Sequence, residues 1–149
     1  MEHINVKIKI VRPGASLPSK ATSGSAAFDV CVWPEAPVTI GVGEIVSLPT
    51  GIAMEPDRED VAALMLGRSG LGAKYGITLA NSVGLIDSDY RGEMRVTLIN
   101  RGSAPFVVNP GDRVAQLMFV PVYAAALTLA DELGDTERGA GGFGSTGIH

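Results

Sequence analysis

Residues 38–66, VTIGVGEIVSLPTGIAMEPDREDVAALML, decide the fold class. Short runs rich in β-branched and apolar residues, Val38–Ile40, Glu44–Leu48, Gly51–Met54 and Val61–Leu66, are punctuated by Gly41–Gly43, Pro49–Gly51 and Pro56–Asp57. Gly and Pro at such close intervals make each run a strand and each break a turn. The pattern continues through Arg95–Ile99, Phe106–Val108 and Val114–Val122, broken at Arg101–Gly102 and Pro110–Gly111. Towards the N-terminus, Val6, Ile8 and Ile10 alternate with Lys7 and Lys9, the two-residue period of a half-buried strand. Pro13, Gly14 and Pro18 end that strand, and residues 19–25 form a Ser-, Thr- and Gly-rich loop. Only Ser69–Tyr75 reads as a short helix, and its two glycines weaken it. Many short strands with tight turns predict an all-β barrel or jelly roll rather than a βαβ sheet.

The length of 149 residues favours one domain, and a domain of this size buries roughly 68–70% of its unfolded surface without a disulfide or metal staple. Charged residues make up 19% of the chain, against a typical value of about 25%. Such thin polar cover points to surface buried in an oligomer. The net charge of −4 argues against broad nucleic-acid binding, which needs a positive face to displace counterions. Local Arg and N–H groups remain able to bind a small phosphate ligand. The single cysteine, Cys31, forms no internal disulfide and, between Val30 and Val32, is expected in the core rather than as a nucleophile. No apolar stretch reaches the 18 residues of a membrane span, and no signal-peptide run opens the chain. A soluble, cytoplasmic protein is expected.

Several familiar chemistries are absent. There is no Gly-x-x-x-x-Gly-Lys-Ser/Thr loop. His3 and His149 lie at opposite ends, so neither a Ser-His-Asp triad nor a transition-metal cluster is at hand. Gly139-Ala140-Gly141-Gly142-Phe143-Gly144 has the letters of a dinucleotide fingerprint, but only five residues follow it and no helix can. Glu137–His149 holds five glycines in thirteen residues, so it is either a loose tail or a flap that orders over a ligand. Phe143 there has no core to join and suits stacking on a flat group.

The segment 81–92, NSVGLIDSDYRG, is richer. Asn81–Gly84 reads as a tight turn joining Ile77–Ala80 to Leu85–Asp87, which predicts a β-hairpin. Its tip offers backbone donors and acceptors at the spacing of a base edge. Asp87 stands at a strand end beside a second acid and an aromatic, an arrangement that a solvated turn also produces. Arg68-Ser69-Gly70 sets a guanidinium, a hydroxyl and an amide at a helix start, which is phosphate-binding chemistry. Arg138, Ser145 and Thr146 frame the glycine-rich tail with a cation and two hydroxyls.

Together these segments resemble the five ordered motifs of the trimeric dUTPase family, over about 120 of the 149 residues. Residues 25–30 (SAAFDV), 67–72 (GRSGLG), 84–92 (GLIDSDYRG), 111–117 (GDRVAQL) and 138–147 (RGAGGFGSTG) match them in order. The resemblance implies a distorted jelly roll, or β-clip barrel, of short strands with one short helix. It implies a homotrimer with shared active sites, residues 1–136 forming the barrel and 137–149 a flexible flap. The implied activity is hydrolysis of dUTP to dUMP and pyrophosphate, which limits uracil in DNA and supplies dUMP for thymidylate synthesis.

The resemblance also assigns roles. Asp87 holds and deprotonates the water that attacks the α-phosphorus. Tyr90 lies against the deoxyribose, leaving no room for a 2′-hydroxyl. Asn81 and the backbone of Gly84, Leu85 and Ile86 read uracil, with Met94 also in contact with substrate. Arg68, Ser69, Gly70 and Gln116 take phosphate oxygens. Phe143 stacks on uracil, while Arg138, Gly144, Ser145 and Thr146 close over the phosphates. Mg2+ rides mainly on the triphosphate, with Asp29 acting on it through water. A carboxylate of ordinary pKa, about 3.9, is ionised at neutral pH and can accept the proton. A positioned base supplies about 10²–10⁴-fold, so alignment and charge stabilisation carry the remainder.

Two departures from the family pattern are Gly67 and Gly72, where Pro and Ala are common; Phe28 replaces a frequent Tyr or Leu. None removes a chemical group. The nearest rival reading is dCTP deaminase, which uses a catalytic Glu and for which Glu93 is the one nearby candidate. A non-catalytic nucleotide-binding trimer that regulates a partner is the other.

Overall fold

The computed structural model describes residues 3–142. Among them eleven strands and one helix follow in chain order: β1 Val6–Ile10, β2 Phe28–Cys31, β3 Val38–Ile40, β4 Ile45–Pro49, β5 Ile52–Pro56, β6 Val61–Gly67, α1 Ser69–Tyr75, β7 Ile77–Leu79, β8 Gly84–Ile86, β9 Arg95–Asn100, β10 Phe106–Val108 and β11 Arg113–Pro121. The β-branched runs of the sequence are strands here, with ends moved by no more than two residues. The short helix falls where it was expected. No helix among the described residues is long and apolar enough to cross a membrane.

The strands form four small antiparallel sheets, ordered β2-β11-β6-β8, β4-β9-β7, β1-β5 and β3-β10. Among the described residues no two consecutive strands pair. The chain is therefore a jelly roll knit by long-range pairings, without local hairpins. The expected hairpin between residues 77–80 and 85–87 does not form: β7 pairs with β9, while β8 pairs with β6. Each of these three-residue strands finds a longer partner, and Ile77 and Leu79 become buried against β9. A two-stranded hairpin of that length is marginal by itself, so the sheets win the strands.

Alternation on β9 shows how the core is built. Val96, Leu98 and Asn100 point inward, while Arg95, Thr97 and Ile99 are at least partly solvated. Val96 and Leu98 join Val30, Val32, Ile40, Leu48, Ile52 and Leu117 in one buried cluster, each such side chain contributing about 1.5–3 kcal/mol by leaving water. Asn100 is buried but satisfied: its amide donates to the Ile40 and Ala104 carbonyls at 2.9 Å, and its oxygen accepts from Gly102 N–H at 2.9 Å. Cys31, expected in the core, is only half-buried, because its neighbours Val30 and Val32 occupy the inward positions of that strand.

Helix α1 ends on Gly76, whose φ of 69° lies in the left-handed region. Its N–H closes the last turn on Gly72, and its carbonyl accepts from Arg101 N–H at 2.8 Å. A Cβ on Gly76 would lie 2.6 Å from Gly102 Cα and 2.8 Å from the Arg101 carbonyl carbon, both backbone atoms that cannot step aside. We expect Gly76→Ala to lower stability by about 2 kcal/mol or more, seen as a lower denaturant midpoint. An unchanged midpoint would contradict this packing.

Candidate active site

Because β7 and β8 part company, a cleft opens between the two sheets. β8 is the edge strand of its sheet, so one side of its backbone meets no other strand. β7 stops at Leu79, opposite Leu98. Beyond that point the first half of β9 meets the crossing chain through the Ala80 N–H to the Thr97 carbonyl, 2.9 Å. The resulting cleft of about 310 Å³ is lined by Asn81, by Gly84–Ile86 and by Arg95–Thr97, with Met65 and Met94 among its walls. That size is at the small end of ligand pockets. Asp87 and Tyr90 stand on its rim, and both are exposed. The turn that carries them is tied by Tyr90 N–H to the Asp87 carbonyl at 3.2 Å, and the Tyr90 hydroxyl donates to the Glu93 carbonyl at 3.1 Å.

A second pocket, of about 290 Å³, lies at the start of α1, with Arg68, Ser69, Gly70, Lys74 and Gln116 in its lining. Its organiser is Asp29, 6% exposed. The Asp29 carboxylate faces Arg113 Nη1 at 3.2 Å, Gln116 Nε2 at 3.4 Å and Arg68 Nε at 3.5 Å. Arg68 is further fixed by its Nη1 donating to the Arg113 carbonyl at 2.9 Å. A β-bulge makes this cluster possible. Gln116 is opposite Asp29 and Ala115 opposite Val30, but Arg113, not Val114, is opposite Cys31. In strict alternation Arg113 would point into the core; the extra residue turns it to the face of Asp29 and Gln116. Val114 and Ala115 are consecutively buried, as a bulge requires.

Glu93 ties the rim of the cleft to the body. Its carboxylate accepts from Arg12 Nε at 2.6 Å and from Gly51 N–H at 2.9 Å, with Arg95 3.9 Å away. Burial pushes this carboxyl up, but the Arg12 hydrogen bond, the Gly51 N–H and the charges of Arg12 and Arg95 outweigh it. Its pKa therefore lies below the ordinary glutamate value.

The structure thus gathers the expected residues into two groups. Asn81, Gly84, Leu85, Ile86, Asp87, Tyr90 and Met94 share the cleft; Arg68, Ser69, Gly70 and Gln116 share the pocket. The two have no lining residue in common. Met94 is 2% exposed and belongs to the core as much as to the cleft wall. Arg138 is exposed, and its Nε donates to the Gly141 carbonyl of its own tail at 2.8 Å. Phe143, Gly144, Ser145 and Thr146 lie outside the described residues. Sequence reasoning missed Lys74 in the pocket, Arg113 against Asp29, and the tie from Arg12 to Glu93. Arg113 stood inside a recognised motif, but only the bulge reveals its face. Glu93, the acid a deaminase would need, has its carboxylate engaged by Arg12 and Gly51.

The all-β fold, the base-sized cleft and the cationic pocket at a helix start define a class of nucleotide-binding jelly rolls. The dUTPase family pattern matches residues 14–147. A deoxyuridine 5'-triphosphate nucleotidohydrolase of Desulfitobacterium hafniense is 51% identical over 150 residues, covering 99% of each chain. One from Herminiimonas arsenicoxydans is 50% identical over 149 residues, covering 100% of both. The fold matches that of the Staphylococcus bacteriophage 80alpha dUTPase with dUPNHPP, with a TM-score of 0.88 at 22% identity over 97% of this chain and 99% of that one. A phage phi11 dUTPase, described with a structural Mg(II) ion, has a TM-score of 0.77 at 20% identity over 86% of this chain and 97% of its own. The chain belongs to the dUTPase family.

A depressed carboxyl pKa stabilises the fold above the unfolded pKa and loses that contribution as pH falls through the folded value. Glu93→Gln should therefore be less stable than the parent at pH 7. The gap should shrink as pH drops below the ordinary value of 4.5. Urea midpoints measured from about pH 2 to about pH 7 test this. A gap that persists undiminished in acid would contradict the assignment.

Proposed function

We propose that this chain hydrolyses dUTP to dUMP and pyrophosphate, Asp87 holding and deprotonating the water that attacks the α-phosphorus. One observation carries this reading: Asp87 and Tyr90 stand on the rim of the cleft whose wall is the open backbone edge of Gly84–Ile86. An exposed strand edge offers fixed donors and acceptors to a base, which suits uracil's alternating pattern. Tyr90 meets the sugar, and Asn81 adds a side-chain amide at the base. Arg68, Ser69, Gly70 and Gln116 receive phosphate oxygens, and Lys74 adds a further cation to that pocket.

The active unit of this reading is a trimer. The cleft and the pocket have no lining residue in common, and in this reading a nucleotide takes its base site from one copy and its phosphate site from another. From Val122 onward the described chain has no strand or helix, and Tyr123, Leu127, Leu129 and Leu133 are 90–97% exposed. Apolar side chains so bare have a use only when another surface covers them. Arg138 is assigned to the phosphates in this reading; the roles expected of Phe143, Gly144, Ser145 and Thr146 fall outside the described residues.

Magnesium enters as part of the substrate. Among the described residues there is no cluster of three or more His, Cys, Asp or Glu, and Asp29 faces three donors of its own chain. That chemistry fits an ion held by phosphates and waters rather than by a protein cage. When bound, the ion neutralises phosphate charge. Asp29 then serves the reaction by aiming Arg68 and Gln116 rather than by ordering the ion's waters. The acidic chain binds a small nucleotide, not nucleic acid or membrane, and a cytoplasmic setting suits that substrate.

Pyrophosphate release from dUTP, dTTP, dCTP and UTP with magnesium tests the reading, with dUTP expected to be strongly preferred. Asp87→Asn should retain nucleotide binding while turnover falls by about 10²-fold or more. Unchanged turnover would remove Asp87 from the mechanism, and ammonia release from dCTP would favour deamination.

A further inference from the structure

Gly92 leaves open the space that the Tyr90 ring fills. The Tyr90 ring folds back over the chain so that its hydroxyl reaches the Glu93 carbonyl at 3.1 Å. That path crosses Gly92. A Cβ there would collide with the Tyr90 hydroxyl and lie 2.6 Å from ring Cζ and 3.0 Å from Cε2. The obstructed atoms are the far end of a side chain, and Tyr90 is 45% exposed, so the ring can swing away while the backbone stays. The other half of the seat is rigid. Glu93 is fixed by its carboxylate to Arg12 and to Gly51 N–H, and Met94 N–H donates to the Ile52 carbonyl at 2.9 Å. The acceptor for the Tyr90 hydroxyl is thereby held in place by three separate bonds.

We propose that Gly92 and the anchored Glu93 carbonyl are positioning elements for sugar selectivity: the missing side chain at 92 and the carbonyl at 93 hold the Tyr90 ring where a ribose 2′-hydroxyl would have to sit. The inference rests on the dUTP reading above and adds to it the device that fixes the discriminating ring. Neither residue needs to touch substrate. Selectivity by exclusion depends on the wall staying put, since a ring free to rotate yields space to the larger sugar.

The test is a cycle of Gly92→Ala, Tyr90→Ala and the double variant, each measured for kcat and KM with magnesium dUTP and magnesium UTP. Gly92→Ala should lower the dUTP-over-UTP preference in kcat/KM by about tenfold or more, mainly through improved use of UTP, with dUTP kcat kept within about threefold. In the Tyr90→Ala background the same substitution should change the preference by less than about twofold, because the ring it positions is gone. A milder variant, Tyr90→Phe, keeps the ring and loses only the bond to the Glu93 carbonyl; a preference lowered by about two- to fivefold is expected. Full preference in Gly92→Ala, an equal loss with or without the ring, or an unaltered Tyr90→Phe would each overturn the proposal. A parent enzyme that hydrolyses UTP as readily as dUTP would instead overturn the functional reading beneath it. Parent preference for dUTP separates the two failures.

Discussion

The constraint on which the rest depends is the parting of β7 and β8 into different sheets. Had these neighbours paired with one another, their backbone groups would have been spent on each other. Instead the chain crosses from one sheet to another between Leu79 and Gly84, and an open strand edge faces half of β9 across a cleft. Long-range pairing throughout the molecule makes this possible. Such pairing fixes loops from many directions, at the expense of slower closure during folding. The rim Asp87–Tyr90 is then displayed on a short connection between sheets rather than on a free loop.

The phosphate pocket solves a different problem. Arg68 and Gln116, with Arg113 close by, are held together without the arginines repelling each other or collapsing onto solvent. Asp29, nearly buried, supplies the compensating charge, and the bulge in β11 brings Arg113 to its side. Removing water from a carboxylate is costly unless donors replace it, and here three do. The pocket is thus charged but locally balanced, which suits an anion site on a chain of net charge −4. Glu93 plays the corresponding role at the cleft, where its carboxylate secures the backbone and its carbonyl secures Tyr90.

Much of this was legible in the sequence, and the parts that were not have a common physical cause. Alternation and turn residues located the strands and α1, because periodicity is a local signal. Pairing is not local, and proximity along the chain suggested a hairpin where the sheets had stronger claims on both strands. Alternation also fails at a bulge, so the face occupied by Arg113 could not be read from its parity with Gln116. Cys31 shows the same limit: neighbouring apolar residues mark a buried region without saying which side chain points inward. The residues that line the cleft and the pocket were legible because ordered motifs of the family carried them. The geometry that sets Gly92 beneath Tyr90 required coordinates.

The central claim is that neither the cleft nor the pocket of one chain suffices, and that copies complete each other's sites. Subunit mixing tests it directly. Asp87→Asn removes the base from every cleft, and Arg68→Ala disables every pocket, so each homo-oligomer should be nearly inactive. Co-refolding the two in equal amounts should restore activity to about a quarter of the parent level, because some sites then take Asp87 and Arg68 from different, intact sources. If the mixture stayed as inactive as its components, despite a mass showing that the chains had assembled together, base and phosphate groups would have to come from the same chain and the account would fail.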